Sequence, residues 1–155
     1  LPSFFTMFDA LGIRNTYFAL IFVLVAINQP FTIWMLRSFF VNIPSELDEA
    51  ALVDGCTRFQ AFREVIMPVM WPGVVTTGLF SFLLAYNDFL LSSALTNAEK
   101  MTMPAAIANA IGAESETLLM QGVAGAVSIT IPLIILIVFF QKQIVGGLTQ
   151  GAVKG

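Results

Sequence analysis

The sequence predicts an all-α membrane protein, and its composition and the length of its apolar runs are the main reasons. Of its 155 residues, 57% are hydrophobic and 11% are charged, and the mean hydropathy is +0.86. Soluble domains carry about 25% charged residues, and a chain of this size cannot bury so much apolar surface. Because backbone groups in lipid must be hydrogen-bonded within their own segment, the apolar runs are predicted to be helices.

Three apolar runs are long enough to cross a bilayer, which takes ~20 helical residues. We predict membrane spans at about 17–40, 69–95 and 118–140. The first span contains Asn28, Gln29 and Pro30 near its middle. Pro30 lacks a backbone N–H, so it is predicted to kink this helix.

The second and third spans also contain residues that matter for packing or transport. Asn87 and Asp88 follow Tyr86 in the second span, and Gly122 and Ala126 form a small-xxx-small pair in the third. Small residues allow helices to approach closely. A charge at mid-bilayer costs ~3 kcal/mol, so intramembrane polar residues usually face a partner or a wet cavity. Asp88 instead lies roughly 25 Å along a helix from Trp71, which favours a position near the outer interface.

A polar segment at 44–68 separates the first two spans. Ser45 with Asp48 has the spacing of a capping box, as does Thr57 with Gln60. Gly55 suits the left-handed stop between two helices. The segment is therefore predicted to be a helix, a glycine turn and a second helix. The second helix is predicted to present Phe59, Phe62 and Ile66 on one face. Physics alone leaves open a protein-docking element or an amphipathic hairpin on lipid headgroups.

The distribution of basic residues predicts the orientation. Placing the polar segment and the C-terminus on one side gives that side five basic residues against two on the other. The five are Arg37, Arg58, Arg63, Lys142 and Lys154, and the two are Arg14 and Lys100. We therefore expect the polar segment and the C-terminus to be cytoplasmic, and the leader and the 96–117 loop to be extracytoplasmic.

Several function classes are disfavoured by what the sequence lacks. The chain has no histidine and a single cysteine, Cys56, which argues against a metal site and an internal disulfide. It has no Gly-Lys-Ser/Thr phosphate loop, and no catalytic constellation, so we expect no enzyme. The net charge of −3 gives no nucleic-acid signature. The chain begins at Leu1 without Met or a signal peptide, so we expect it to be part of a longer protein.

The polar segment carries a family resemblance. Glu49-Ala50-Ala51, Gly55 and Val65-Ile66-Met67-Pro68 resemble the EAA loop, EAA-x3-G-x9-I-x-L-P, of permease subunits of binding-protein-dependent ABC importers. Val65 stands where that pattern has Ile and Met67 where it has Leu. Both changes keep the residues apolar and of similar volume.

Three flanking stretches resemble the carbohydrate importers of the maltose-transporter type. They are the run from Pro30 to Phe40, Tyr86-Asn87-Asp88-Phe89 in place of Trp-Asn-Glu-Phe, and the ending from Gln143 to Gly155. The resemblance covers nearly the whole chain. It implies three spans of a type I permease fold, with about three N-terminal spans of a six-span subunit missing and Gly155 as the native end.

The resemblance also implies roles and partners. By this resemblance, the loop is a coupling helix that docks on a cytoplasmic ATPase subunit. The docking residues would be Glu49, Ala50, Ala51, Gly55, Val65, Met67 and Pro68. The tail at 141–155 is expected to run in an extended form toward that ATPase. Further partners are a second permease subunit, an extracytoplasmic solute-binding protein and a sugar substrate. ATP and Mg would bind the ATPase, so this chain is expected to hold no cofactor. The location is the inner or plasma membrane of a bacterial or archaeal cell.

The substrate path is assigned to polar residues of the first two spans: Asn28, Gln29, Tyr86, Asn87 and Asp88. Alternatives remain open at this stage. One alternative is a permease of an ABC importer for another small solute, such as an amino acid, a peptide or a polyol. A secondary transporter or channel half would use Asp88 as a proton or cation site. A membrane scaffold with an interfacial hairpin is a further alternative.

Overall fold

The secondary structure of the described residues is helical, as predicted. The computed structural model describes the backbone of residues 2–152 and the side chains of residues 6–145, and no strand occurs in this part. The helices are α1 (Pro2–Ala10), α2 (Tyr17–Phe40), α3 (Ser45–Val53), α4 (Arg58–Ala61), α5 (Met67–Tyr86), α6 (Leu90–Leu95), α7 (Met103–Ile111) and α8 (Glu116–Ala152), with a π-helical turn at Phe62–Ile66. Three helical segments are long and apolar enough to cross a membrane: Tyr17–Phe40, Arg58–Tyr86 and Glu116–Val145.

Helix α2 has the bounds predicted for the first span. It continues as one helix through Pro30, so the polar residues before this proline do not interrupt it. Pro30 also marks the boundary between two compact units of the chain. The first unit comprises Leu1–Gln29 and Leu83–Val138, and the second comprises Pro30–Phe82 and Phe139–Gly155.

The second long helical run differs from the prediction at both ends. It begins at Arg58, because α4, the π-helical turn and α5 follow one another directly, and it ends at Tyr86. The prediction that one span continues to residue 95 is wrong. The break comes at Asn87–Phe89, where Asp88 accepts hydrogen bonds from the backbone amides of Leu91 and Ser92 and starts α6.

The two remaining regions are more helical than predicted. The 96–117 segment, predicted as a loop, contains α7, whose Pro104 lies at the start of the helix. Proline is well tolerated there because the first helical N–H groups have no intrahelical partner. The predicted extended tail is wrong as far as Ala152, since α8 continues to that residue. Lys154, which entered the orientation count, lies outside the described residues.

The first unit has an apolar core built from α1, α2 and α6. Its buried members are Phe8, Ala19, Leu20, Val23, Leu91 and Leu95. Helix α8 approaches α7 closely in the same unit, because a Cβ on Gly122 would lie 2.9 Å from Ile111 Cγ1. The prediction of close helix packing at Gly122 is therefore confirmed.

The second unit joins the last part of α2 to α5. Phe39 lies over Gly73, where a Cβ would meet the Phe39 ring at 2.6 Å. Farther along the same two helices, Phe31 and Phe80 make an edge-to-face contact with ring centroids 6.3 Å apart. The Thr32 and Ser81 hydroxyls are hydrogen-bonded at 2.9 Å. These contacts fix the two helices against each other within this unit.

Candidate functional site

The coupling element, residues 44–68, begins with a helix that ends at a glycine turn. At the end of α3 the Cys56 amide donates to Ala51 O (3.0 Å) and the Gly55 amide donates to Leu52 O (3.1 Å). This pair of bonds is the Schellman motif, which requires a left-handed residue after the helix. Gly55 has φ 90°, so the predicted glycine stop is confirmed.

Of the two capping boxes predicted in this element, one is present and the other is not. Thr57 and Gln60 form the predicted capping box: Thr57 Oγ1 accepts from Gln60 N (3.3 Å) and the Thr57 amide donates to Gln60 Oε1 (2.8 Å). The predicted Ser45–Asp48 box is wrong. Ser45 is already the first residue of α3, so Pro44 occupies the N-cap position, in an extended conformation and with no side-chain cap. Proline has no side-chain oxygen that could accept from the first helical amides.

Small residues hold the coupling element together internally. Ala51 is 5% exposed and Ala61 is fully buried, at the place where α3 packs against α4 and the π-helical turn. Ala51 therefore brings the element's own helices together, and its side chain is not presented to another protein. Glu49 and Ala50, on the same helix, are exposed.

Large apolar side chains of the coupling element are uncovered. The exposed fraction is 87% for Val53, 70% for Phe59 and 41% for Phe62, whereas Ile66 is buried. The prediction that Phe59, Phe62 and Ile66 share one face is therefore wrong. The π-helical turn at Phe62–Ile66 changes the helical period between the first and last of them.

The π-helical turn has a local cause in the sequence. Pro68 follows it directly, and proline both lacks an N–H and collides with the carbonyl four residues earlier. The Met67 amide donates to Phe62 O, five residues back, which widens the helix just before Pro68. Val65 and Met67 are half-buried and Pro68 is exposed. The predicted coupling residues thus run from an exposed helix into the first turn of α5.

Two predicted path residues meet at a cavity of the first unit. Tyr86 and Asn87 line this cavity of about 370 Å³, together with residues of α7 and α8. Tyr86 Oη donates to Ile129 O (2.8 Å), a carbonyl three residues before Pro132 in α8. Asn87 Nδ2 donates to Leu83 O (2.8 Å). The polar path residues at the end of α5 therefore adjoin an otherwise largely apolar cavity.

The other predicted path residues do not line this cavity. Asp88 uses its carboxylate on the backbone of α6, with Ser92 N at 3.0 Å. Asn28 is half-buried and donates through Nδ2 to Leu24 O (2.8 Å) on its own helix. Gln29 is exposed. Of the five, the structure brings together Tyr86 and Asn87 at one cavity.

A polar network around α6 was missed by sequence reasoning. Ser92 is fully buried and its hydroxyl accepts from the Thr102 amide (2.6 Å), while Thr102 Oγ1 donates to Asp88 O (3.0 Å). Serine and threonine in an apolar run look like ordinary packing residues, so the sequence gives little signal for this network. It anchors the start of α7 to the helix break.

A second cluster ties the leader to the 96–102 segment. Asn15 adopts a left-handed conformation with φ 57°. Its Oδ1 accepts from Asn97 N (2.9 Å), and its carbonyl accepts from Lys100 Nζ (3.0 Å). The two regions predicted to share the extracytoplasmic side are thus adjacent.

The sequence matches a known family over almost its whole length. The model of the binding-protein-dependent transport system inner membrane component matches residues 1–150. The chain belongs to this family. Family membership and the three candidate membrane helices make it part of a multi-pass membrane protein with the type I ABC permease fold.

Individual relatives are similar over the same range. The chain is 43% identical to the trehalose transport system permease protein SugB of Mycobacterium tuberculosis, over 97% of this chain and 56% of that protein. It is 40% identical to the trehalose/maltose transport system permease protein MalG of Thermococcus litoralis, over 97% of this chain and 55% of the relative. A third relative, the diacetylchitobiose uptake system permease protein DasC of Streptomyces coelicolor, is 43% identical over 81% of this chain. The chain spans about half the length of these relatives.

Proposed function

We propose that the full-length protein is the permease subunit of an ATP-driven sugar importer, and that residues 44–68 transmit movement from a cytoplasmic ATPase to the membrane helices. The structure of the coupling element supports this proposal. It is a two-helix element, closed at Gly55 and capped at Thr57, whose apolar residues Val53 and Phe59 are uncovered. Apolar side chains left exposed on a helical element are typical of a protein-docking surface.

The mechanical step follows from the helical connection. The coupling element continues through the π-helical turn into α5 without a loop. A displacement of the element by the ATPase would therefore move the start of α5 with it. ATP and Mg would be bound by the ATPase, and this chain would need no cofactor and perform no chemistry. A second permease subunit and an extracytoplasmic solute-binding protein would complete the assembly.

A sugar is the proposed substrate because the similar relatives are named for trehalose, maltose and diacetylchitobiose. The cavity beside Tyr86 and Asn87 offers what sugar binding needs, which is polar groups next to apolar surface. Asn28, Gln29 and Asp88 remain proposed path residues, although each lies outside that cavity. Because its carboxylate caps α6, Asp88 would position this helix beside the path.

The orientation proposal places the coupling element and the C-terminus in the cytoplasm of a bacterial or archaeal cell. It rests on the excess of Lys and Arg at that end. The adjacency of Asn15 and Lys100 supports it, because the leader and the 96–102 segment would then occupy the opposite side together.

The test uses the full-length permease co-expressed with the ATPase and binding protein of its transport system. Glu49→Lys and Gly55→Asp are expected to reduce both ATPase co-purification and sugar uptake at least tenfold. Glu114→Lys is the matched control, since it reverses an exposed acid in the segment between α7 and α8. Full uptake by the Glu49→Lys and Gly55→Asp variants would refute the coupling role.

A further inference from the structure

A groove in the second unit lies where the membrane helices end. It has a volume of about 430 Å³ and is formed by the end of α2, the start of α5 and one turn of α8. This volume falls within the range of small-molecule sites, about 300–1,000 Å³. Pro44 of the coupling element also lines the groove, but Val53, Phe59 and Phe62 do not. The groove shares no lining residue with the cavity beside Tyr86.

Part of the groove lining is apolar and comes from the membrane helices. Phe39, Val69 and Met70 line it, and Phe39 also covers Gly73. The last residues of α2 and the first residues of α5 supply this wall. Its chemistry suits a hydrocarbon chain.

The rest of the lining includes polar residues and a cation. The apolar run of α8 ends at Phe140, and Lys142 and Gln143 follow and line the groove. No carboxylate oxygen lies within 4.0 Å of Lys142 Nζ among residues 6–145. The groove therefore offers one positive charge at the boundary of the apolar region, where basic residues attract anionic lipid.

The Gln143 side chain adds a hydrogen-bond acceptor. Its Oε1 is shielded from solvent and has no hydrogen-bond partner in the described part of the chain. Its backbone carbonyl accepts from Thr76 Oγ1 (3.2 Å), which attaches this turn of α8 to α5. A buried acceptor without a donor costs free energy, so a ligand that brings a hydroxyl donor would be favoured here.

We propose that this groove binds phosphatidylglycerol, an anionic phospholipid whose headgroup carries hydroxyl groups. Lys142 would pair with the phosphate, a headgroup hydroxyl would donate to Gln143 Oε1, and an acyl chain would lie against Phe39 and Met70. A headgroup with its own ammonium suits the site less well, because it would bring a second positive charge toward Lys142. The bound lipid would hold the end of α2, the start of α5 and α8 together next to the coupling element.

The experiment measures lipid retention on the purified full-length permease by native mass spectrometry. The protein is taken from nanodiscs of equimolar phosphatidylglycerol and phosphatidylcholine with identical acyl chains. Wild type is expected to retain phosphatidylglycerol about fivefold over phosphatidylcholine, the preference that one basic residue near an anionic surface provides. Lys142→Gln is expected to lose this preference. Lys142→Arg and the matched control Arg37→Gln, which removes a cation outside the groove, are expected to keep it.

Photo-labelling of the wild-type protein tests the groove even if Lys142→Gln fails to fold. Phosphatidylglycerol with a photoreactive acyl chain is expected to label Phe39, Val69 or Met70 in wild type. Excess sn-glycerol 3-phosphate is expected not to reduce this labelling; displacement by it would show a site for a soluble phosphate ester instead. Equal retention of both lipids, or labelling confined to other surfaces, would overturn the proposal. So would occupation of the groove by another segment of the longer protein.

Discussion

The Cys56 amide donates a hydrogen bond to the carbonyl of Ala51 (3.0 Å), and this bond closes α3 around the left-handed turn at Gly55. The same alanine is buried against the following helical segments. Ala51 and Gly55, the second alanine and the glycine of the sequence pattern, therefore have an internal structural role. They build the turn that gives the coupling element its shape, whatever surface it contacts.

Replacement of Gly55 tests that turn. Gly55→Ala is expected to lower the free energy of unfolding by about 1–2 kcal/mol, because an L-residue is strained at positive φ. A Cβ there would meet no atom within 4 Å, so sterics do not contribute. The midpoint of thermal unfolding of the full-length permease measures the effect. Gly78→Ala is the control, since it also adds a Cβ in open space, but within a helix, where alanine is favoured. Equal midpoints for the two variants would contradict the strained turn.

The contact between Phe39 and Gly73 gives a second prediction. Gly73→Ala is expected to destabilise the protein by about 1–3 kcal/mol, because the new methyl would overlap the Phe39 ring and force it to move. Phe39→Leu is expected to recover much of this loss in the double variant. Denaturation midpoints of the two single variants and the double variant form the cycle. Strict additivity would show that Phe39 does not limit the space at Gly73.

Two substitutions of Asp88 distinguish a helix-capping role of its carboxylate from an ion-carrying role. Asp88→Asn keeps an oxygen acceptor for the backbone amide of Ser92 and is expected to retain most of the uptake. Asp88→Ala removes the cap and is expected to cost about 1 kcal/mol of stability. Uptake of radiolabelled sugar, together with thermal stability, distinguishes the two roles. Complete loss of uptake in a stable Asp88→Asn variant would instead indicate that the charge itself is required.

Tyr86 and Asn87 line the cavity beside α5, and we expect their replacement to have different effects on stability and uptake. Tyr86→Phe removes the hydrogen bond to Ile129 O and is expected to cost about 1 kcal/mol of stability. Asn87→Leu is expected to reduce uptake several-fold with little change in stability. Asn87 is exposed, and among the described residues its side chain bonds only to Leu83 O in the adjoining α5. Initial uptake rates and unfolding midpoints of both variants test this. Unchanged uptake by Asn87→Leu would remove Asn87 from the path.

Sequence patterns predicted the features that depend on local chemistry. The apolar runs predicted the long helices, and Gly55 and the Thr57–Gln60 pair predicted a turn and a cap that each need only neighbouring residues. The predictions that were wrong concern features that depend on tertiary contacts or on competing local effects. Asp88 ends the second span because its carboxylate is used on α6, and Pro68 changes the helical period so that Ile66 leaves the face of Phe59. The network of Ser92 and Thr102 joins residues ten apart, which no periodic pattern indicates.

We propose that the uncovered surface of the coupling element, at Val53 and Phe59, contacts an ATPase subunit. Site-directed cross-linking tests it most directly, with Phe59→Cys compared with Ala61→Cys in a Cys56→Ser background of the assembled transporter. Phe59 is 70% exposed and Ala61 is fully buried only two residues away. We predict that a short thiol-to-amine cross-linker joins position 59 to the ATPase subunit and leaves position 61 unreacted. Failure of position 59 to cross-link in an assembled, ATP-hydrolysing transporter would contradict the claim.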